Sequence, residues 1–246
     1  MGSTETKIFI GCAGWSIPGH SADRFSSSGT HLERYAHAFP AVEINTTFYR
    51  SHRPETYTRW AASTPPGFRF AVKVHRLITH YHRLRVPTLL KTFASETSAL
   101  KDKLGPWLVQ LPPSLAFDAG VVTTFFAGLR DMFNGLVVCE PRNASWFTPS
   151  AEALLREYQV ARAAVDPALN PSAAIPGGWP EPVYFRLHGS PIMYHSPYSR
   201  EYLAALGRQL AEACQAGKTA WCIFDNTATS AAFENALDLL ELLSLR

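Results

Sequence analysis

Apolar residues cluster along this chain in short, nearly unbroken runs: IFIG at 8–11, FAV at 70–72, WLVQL at 107–111 and LVVC at 136–139. A strand with one wet face alternates apolar and polar residues, so unbroken runs predict strands covered on both faces, as in a parallel sheet. Counting weaker runs, strands are predicted to begin near Lys7, Ala41, Arg69, Trp107, Leu136, Ala161, Val183 and Thr219. Between them the period turns helical over 31–39, 54–63, 88–104, 119–133, 149–158, 199–217 and 230–243. The step from strand to strand averages roughly 30 residues, the size of one βαβ unit.

Eight such strands predict an α/β fold, a single (β/α)8 TIM-type barrel occupying 1–246 as one domain. The sixth helix is expected to be missing or rudimentary, because DPALNPSAAIPGGWPEPV at 166–183 is rich in Pro and Gly. The connection at 16–30 is also irregular, and long connections of this kind are often functional. The rival fold, an open doubly wound sheet, would carry a Gly-rich phosphate fingerprint after its first strand. Gly11, Gly14 and Gly19 do not supply that spacing.

Polar residues break the apolar pattern at one recurring place. Glu43 and Asn45, Lys73 and His75, Glu140 and Arg142, and Arg186 and His188 each stand two apart at the end of a predicted strand. Residues i and i+2 of a strand share a face, so each pair is expected on one side of its strand. Buried charges without partners cost several kcal/mol or more, which makes a shared polar site the natural reading. In a TIM barrel that site is the C-terminal mouth. The residues mapping there are Glu43, Asn45, Tyr49, Lys73, His80, Gln110, Glu140, Arg142, Trp146, Asp166, Arg186, His188, Asp225 and Asn226, with Tyr194 among the aromatic residues of the same loops.

Composition narrows the classes little. At 246 residues and 46% hydrophobic content the chain can bury one large core. Its 23 Lys+Arg against 20 Asp+Glu, a net charge of +3, are too even to imply a nucleic-acid or membrane surface. Cys12, Cys139, Cys214 and Cys222 have no C-x-x-C spacing, which argues against a disulfide framework or zinc knuckle. The polar start MGSTETK and the lack of any apolar run near 18 residues predict no signal peptide, no membrane span and a cytoplasmic location.

The stretches GCAGW (11–15), VEINTTFYR (42–50), FAVKV and ITH (70–74 and 78–80), LGPWLVQLPPS (104–114), CEPRNASWF (139–147), FRLHG (185–189) and FDNTATSAAFENA (224–236) form an ordered set. Through them the chain resembles, over nearly its whole length, the YecE-like family, which is catalogued as a domain of unknown function. The resemblance implies a TIM barrel with a polar cluster at its C-terminal end, and no established reaction, substrate or cofactor. Family members often carry a further Trp in the loop after the first strand and a small residue or Pro at the position of His75; this chain departs from both patterns.

The leading functional reading is an enzyme that binds a phosphorylated small molecule or a nucleic-acid phosphate and works by acid/base chemistry. Arg142, Arg186 and Lys73 form the expected anion clamp, since guanidinium forks grip phosphate by two bonds. Glu43, Glu140 and Asp225, with His80 or His188, are the expected proton-transfer groups. Asn45, Tyr49, Gln110, Trp146, Asp166, Tyr194 and Asn226 are expected to bind the substrate. Hydrolase and isomerase are the reaction classes such a site would serve, and whether the chain is an enzyme at all stays open. A non-catalytic ligand-binding barrel is the first alternative and a metal-dependent hydrolase the second. The acids and His188 could hold a divalent metal, but the cations between them disfavour it, so no metal ligand or cofactor is assigned. Salt bridges such as Glu43 with Arg186 or Glu140 with Lys73 would instead make the cluster structural. If Arg142 and Arg186 neutralise the nearby acids, only Lys73 is left for covalent work such as a Schiff base. No protein partner is indicated.

Overall fold

The computed structural model describes residues 8–86 and 88–244. Its strands are β1 (Ile8–Cys12), β2 (Ala41–Ile44), β3 (Arg69–Lys73), β4 (Leu104–Gln110), β5 (Val137–Glu140), β6 (Val160–Arg162), β7 (Ala164–Asp166), β8 (Gly177–Gly178), β9 (Val183–Leu187) and β10 (Ala220–Phe224). Parallel ladders run β2-β3-β4-β5-β6 and β1-β10-β9-β7. Ala163 separates β6 from β7, so the two are halves of one barrel stave, the first pairing with β5 and the second with β9. A parallel bridge from Ala13 to Glu43 joins β1 to β2 and closes the ring of eight staves.

The β1–β2 seam has little ladder because the chains approach too closely for side chains. A Cβ on Gly11 would lie 2.0 Å from the Ala41 carbonyl oxygen. Tyr35 replaces the missing backbone bonds. Its hydroxyl donates to the Ala41 carbonyl at 2.9 Å and accepts from the Cys12 amide at 2.8 Å.

The helices are α1 (His31–Ala38), α2 (Pro54–Ala62), α3 (Leu89–Thr97), α4 (Ala119–Met132), α5 (Pro149–Glu157), α6 (Arg200–Gln215) and α7 (Ala231–Ser244). Local chemistry sets several starts: Thr30 and Glu33 form a capping box, and Asp118, Thr148 and Ser199 cap the first turns of α4, α5 and α6. Where a sixth helix would stand there is only a 3-10 turn, Pro171–Ala174, and the two residues of β8. Buried Arg162 holds this excursion, pairing with Glu152 of α5 and donating to the Ser172 carbonyl at 2.8 Å.

The long helix expected over 88–104 is shorter than its pattern. α3 stops at Thr97, a 3-10 segment follows, and Lys101 takes a positive φ of 54°. β4 then starts at Leu104 rather than near Trp107, taking in Gly105 and Pro106. Both serve the strand: a Cβ on Gly105 would meet the Trp221 ring at 2.6 Å, and Pro106, without an N–H, sits where the β3–β4 register shifts.

Two apolar layers result. Between strands and helices lies the large outer core. Inside the barrel a smaller core of Ala41, Ala71, Leu108, Val138, Tyr184 and Trp221 fills the lower levels, and Phe9 stacks on Trp221 at 4.7 Å. No helix among the described residues is long and apolar enough to cross a membrane.

Candidate functional site

One step further along the same inward-facing positions, the apolar filling gives way to charge. Glu43, Lys73, Gln110, Glu140, Arg186 and Asp225 stand at the C-terminal ends of β2, β3, β4, β5, β9 and β10 or the residue just beyond, all buried. Arg186 is at the centre and fully buried. Its Nη2 and Nε grip Glu43 at 2.7 and 3.0 Å, and its Nη1 reaches Glu140 at 3.2 Å and Asp225 at 3.1 Å. Burial would lower its pKa, but the Asp225, Glu43 and Glu140 carboxylates hold it well above the usual guanidinium value.

Glu140 is equally committed. Its Oε1 accepts from Gln110 Nε2 at 3.0 Å and Arg142 Nε at 3.0 Å and lies 3.1 Å from His188 Nε2, while Oε2 faces Arg186. Burial pushes the carboxyl up, and Arg186, His188 and Arg142 outweigh it, holding the group well below the carboxylate range. Asp225 follows the same balance between burial and Arg186, and its Oδ2 is shared with His188 Nδ1 at 3.0 Å. These groups form a closed floor.

A different arrangement lies on one wall. Thr47 donates its hydroxyl to the Lys73 carbonyl at 2.6 Å, tying the turn after β2 to the end of β3. That turn places Phe48 under Lys73, whose Nζ lies 4.2 Å from the ring centroid. Lys73 makes no ion pair among the described residues, although Arg186 takes up the nearby carboxylates. Burial and then Arg186 push its amine down to about 8, against the weaker pull of Glu43, Glu140 and Asp225.

His80 sits on the π-helical turn Leu77–Tyr81, edge-on to the same Phe48 ring at 4.9 Å, with Nδ1 2.9 Å from Thr79 Oγ1. Burial, Lys73 and Arg142 lower its pKa. The Asn45 side-chain oxygen is buried without a partner among the described residues. Arg142, partly exposed, closes the opposite side, with Nη1 3.4 Å from the Tyr194 hydroxyl and Nη2 3.3 Å from His188. Tyr49 is exposed beside Phe48.

Several expectations need correction. Arg186 cannot belong to an anion clamp, because three carboxylates enclose it and no surface is left for a ligand. Glu43 and Glu140 are not free acids or bases, since every oxygen has a guanidinium, amide or imidazole partner. The proposed Glu43–Arg186 bridge exists; Glu140 pairs with arginines and not with Lys73.

Asp166 ends its stave one residue beyond inward-facing Val165 and therefore turns out of the barrel. There it accepts from the Tyr198 hydroxyl at 3.0 Å and lines a cavity of about 190 Å³ with Phe185, Leu187, Tyr202 and Leu206, beside the missing helix. Trp146 is a buried brace, its Nε1 donating to the Leu115 carbonyl at 2.9 Å. Asn226 also faces away, its amide donating to the Ser196 carbonyl and to Asn235 at 3.0 Å each. His75 does not share a face with Lys73, because β3 ends at Lys73; its Nδ1 accepts from the Leu77 amide at 3.0 Å at the start of the following turn.

Phe48 is the residue the sequence pattern misses. It follows the strand by four positions, outside any period-two pattern, and reads as core packing, yet it is the platform beneath both Lys73 and His80.

Comparison with known proteins places this geometry in a context. Residues 9–246 match the family described as "Protein of unknown function DUF72". The UPF0759 protein YunF of Bacillus subtilis is 26% identical over 97% of this chain and 95% of its own length. The UPF0759 protein YecE of Escherichia coli is 37% identical over 43% of this chain, a match spanning only 38% of that protein. Among solved structures, a DUF72 family protein from Thermotoga maritima superposes with a TM-score of 0.79 at 23% identity, covering 97% of this chain and 99% of that one. One from Enterococcus faecalis gives 0.79 at 24%, covering 97% and 96%. A xylose isomerase-like TIM barrel fused to a 4-hydroxyphenylpyruvate dioxygenase shares the fold at 0.55 and 14% identity, over 96% of this chain and 42% of that one.

Proposed function

The chain belongs to the DUF72 family, whose function is unknown, and on that premise we propose that it is an enzyme performing acid/base chemistry on an anionic small molecule held in the barrel mouth. One observation carries this reading: the mouth holds two ionisable groups, Lys73 and His80, that pair with no carboxylate among the described residues, above a floor whose Glu43, Glu140 and Asp225 are taken by Arg186. A binding scaffold could also set an unpaired amine against its anion, but moving that amine toward neutrality beside an imidazole serves proton transfer and is not needed for binding alone.

Arg142 and Lys73 supply the positive charge that meets the anion, and phosphate is the group such a pair best suits. His80, with a lowered pKa, is the proton carrier, and the unpartnered Asn45 oxygen accepts from a substrate hydroxyl or amine. Glu43, Glu140 and Asp225 fix Arg186 and His188 beneath. A divalent metal does not fit this floor, because the Arg186 guanidinium already supplies the cation its donors face.

The reading is tested by thermal unfolding with inorganic phosphate and with a panel of sugar phosphates. A ligand that binds only the folded state raises stability by RT ln(1 + [L]/Kd), so phosphate should raise the Tm of the unmodified protein. Arg142→Glu should abolish that rise. A rise that survives Arg142→Glu unchanged overturns the anion assignment.

A further inference from the structure

Lys73 presents more than a positive charge. Its side chain is only 6% exposed, its amine rests on an aromatic face, and the charge that acts on it most strongly is the cation Arg186, reaching it from β9 across the barrel. The groups facing it are Glu43 from β2, Glu140 from β5, Arg186 from β9, Asp225 from β10 and His80 from the turn after β3. The acids among them are turned onto Arg186, so among the described residues none pairs with the ammonium and their pull on it is the weaker one. Desolvation beside another cation is the arrangement that frees a lysine lone pair for attack.

We propose that Lys73 is a covalent nucleophile that captures an aldehyde or ketone substrate as an imine, the carbonyl compound being one that also carries an anionic group for Arg142. The proposal rests on the reading of the mouth as an anion-binding catalytic site. In the step, the amine lone pair bonds to the carbonyl carbon and the π pair moves onto oxygen. The two protons of the amine leave with that oxygen as one water, and the C=N bond remains. His80, against the same ring as the amine, passes those protons between nitrogen and oxygen. No oxidant or reductant is needed.

At pH 7 an amine lowered to about 8 is about one-tenth unprotonated, whereas an ordinary surface lysine near 10.4 is about one part in 2,500 unprotonated. Lys91 and Lys101 are exposed and serve as internal controls. The experiment treats the intact protein at pH 7 with glycolaldehyde phosphate and sodium cyanoborohydride, which reduces an imine to a stable amine, and maps the adduct by peptide mass spectrometry. Lys73 should be labelled at least about tenfold faster than Lys91 and Lys101, a margin that allows for the lower nucleophilicity of a less basic amine.

Labelling of Lys73 no faster than the two controls overturns the proposal. Uncharged glycolaldehyde separates it from the reading beneath it. Fast labelling of Lys73 by glycolaldehyde together with no phosphate protection upholds the nucleophile and removes the anion site. Phosphate protection lost in Arg142→Glu, with no preferential labelling of Lys73 by either aldehyde, does the reverse. Lys73→Arg keeps the charge without the nucleophile, so it should retain phosphate protection and lose the adduct.

Discussion

Arg186 and Lys73 are buried cations at the same end of one barrel, both surrounded by the same three acids, and their situations are opposite. Arg186 has a planar fork that meets Glu43 by two bonds and still reaches Glu140 and Asp225. Lys73, a point charge on a flexible stem, is left with an aromatic ring. Guanidinium geometry decides which cation wins the carboxylates, and the loser is pushed toward neutrality. The floor is thereby held together by ion pairs, and the wall is where the proposed chemistry is placed. Their responses to mutation and pH should differ in sign as well as in size.

The largest effect is expected from the floor. Arg186→Met removes the partner of three buried carboxylates, and breaking a buried ion network by deleting one partner costs about 3–5 kcal/mol. Urea unfolding at neutral pH should show a loss of that order. Glu140 and Asp225 have folded pKa values held below their unfolded ones, so their contribution is present above the unfolded pKa near 4 and disappears as pH falls through the folded values. The deficit of Arg186→Met should therefore shrink in acid. A neutral-pH loss under about 1 kcal/mol would mean that the floor is no scaffold.

This division was only partly legible in the sequence. The eight staves, the helices and the missing sixth helix followed from apolar periodicity and from the Pro/Gly content of 166–183, because those features are local. Strand alternation also found Glu43, Lys73, Gln110, Glu140, Arg186 and Asp225 as one inward set. It failed at strand ends, where one residue decides the face: Asp166 turns outward after Val165, and His75 leaves the pattern once β3 stops. Trp146 and Asn226 were misread for a related reason, since loop residues have no period and a buried hydrogen bond looks like any polar or aromatic loop position. Above all, a list of charges does not say who pairs with whom. The Glu43–Arg186 fork is set across 143 residues of chain by barrel closure, and with it the isolation of Lys73.

The wall provides a smaller effect of opposite sign. Lys73→Met replaces a buried, unpaired ammonium by an apolar chain of similar length, and should raise stability at pH 7 by about 1–3 kcal/mol. For a lysine with a lowered folded pKa, the unfolded chain binds more protons between about 8 and 10.5, so stability rises with pH across that window. Buried Cys12, Cys139 and Cys222, whose thiols are pushed up by burial, act in the opposite direction in both proteins, so the lysine is read from the difference: the urea-midpoint advantage of Lys73→Met should shrink as pH rises across that window. A destabilised Lys73→Met would erase the contrast with Arg186 and make the amine another structural cation.

The smallest stability effect tests whether the wall is chemistry at all. His80 is half-buried on a π-helical turn, lies against Thr79 and the Phe48 ring, and has no carboxylate partner among the described residues. Gln keeps a polar group of similar reach, and a substitution that neither opens a cavity nor strands a charge ordinarily changes stability by less than about 0.5 kcal/mol. His80→Gln should therefore melt with the unmodified protein and keep its protection by phosphate, since Arg142 and Lys73 remain. What it removes is an imidazole that can take and return a proton, a function the amide cannot perform. On whichever sugar phosphate of the panel is turned over, the rate should fall by roughly 100-fold or more at unchanged affinity, within the range general acid/base groups contribute. Unchanged turnover with unchanged stability would leave His80 a bystander and place the proton transfer on Asp225 and His188, drawing the floor into the reaction.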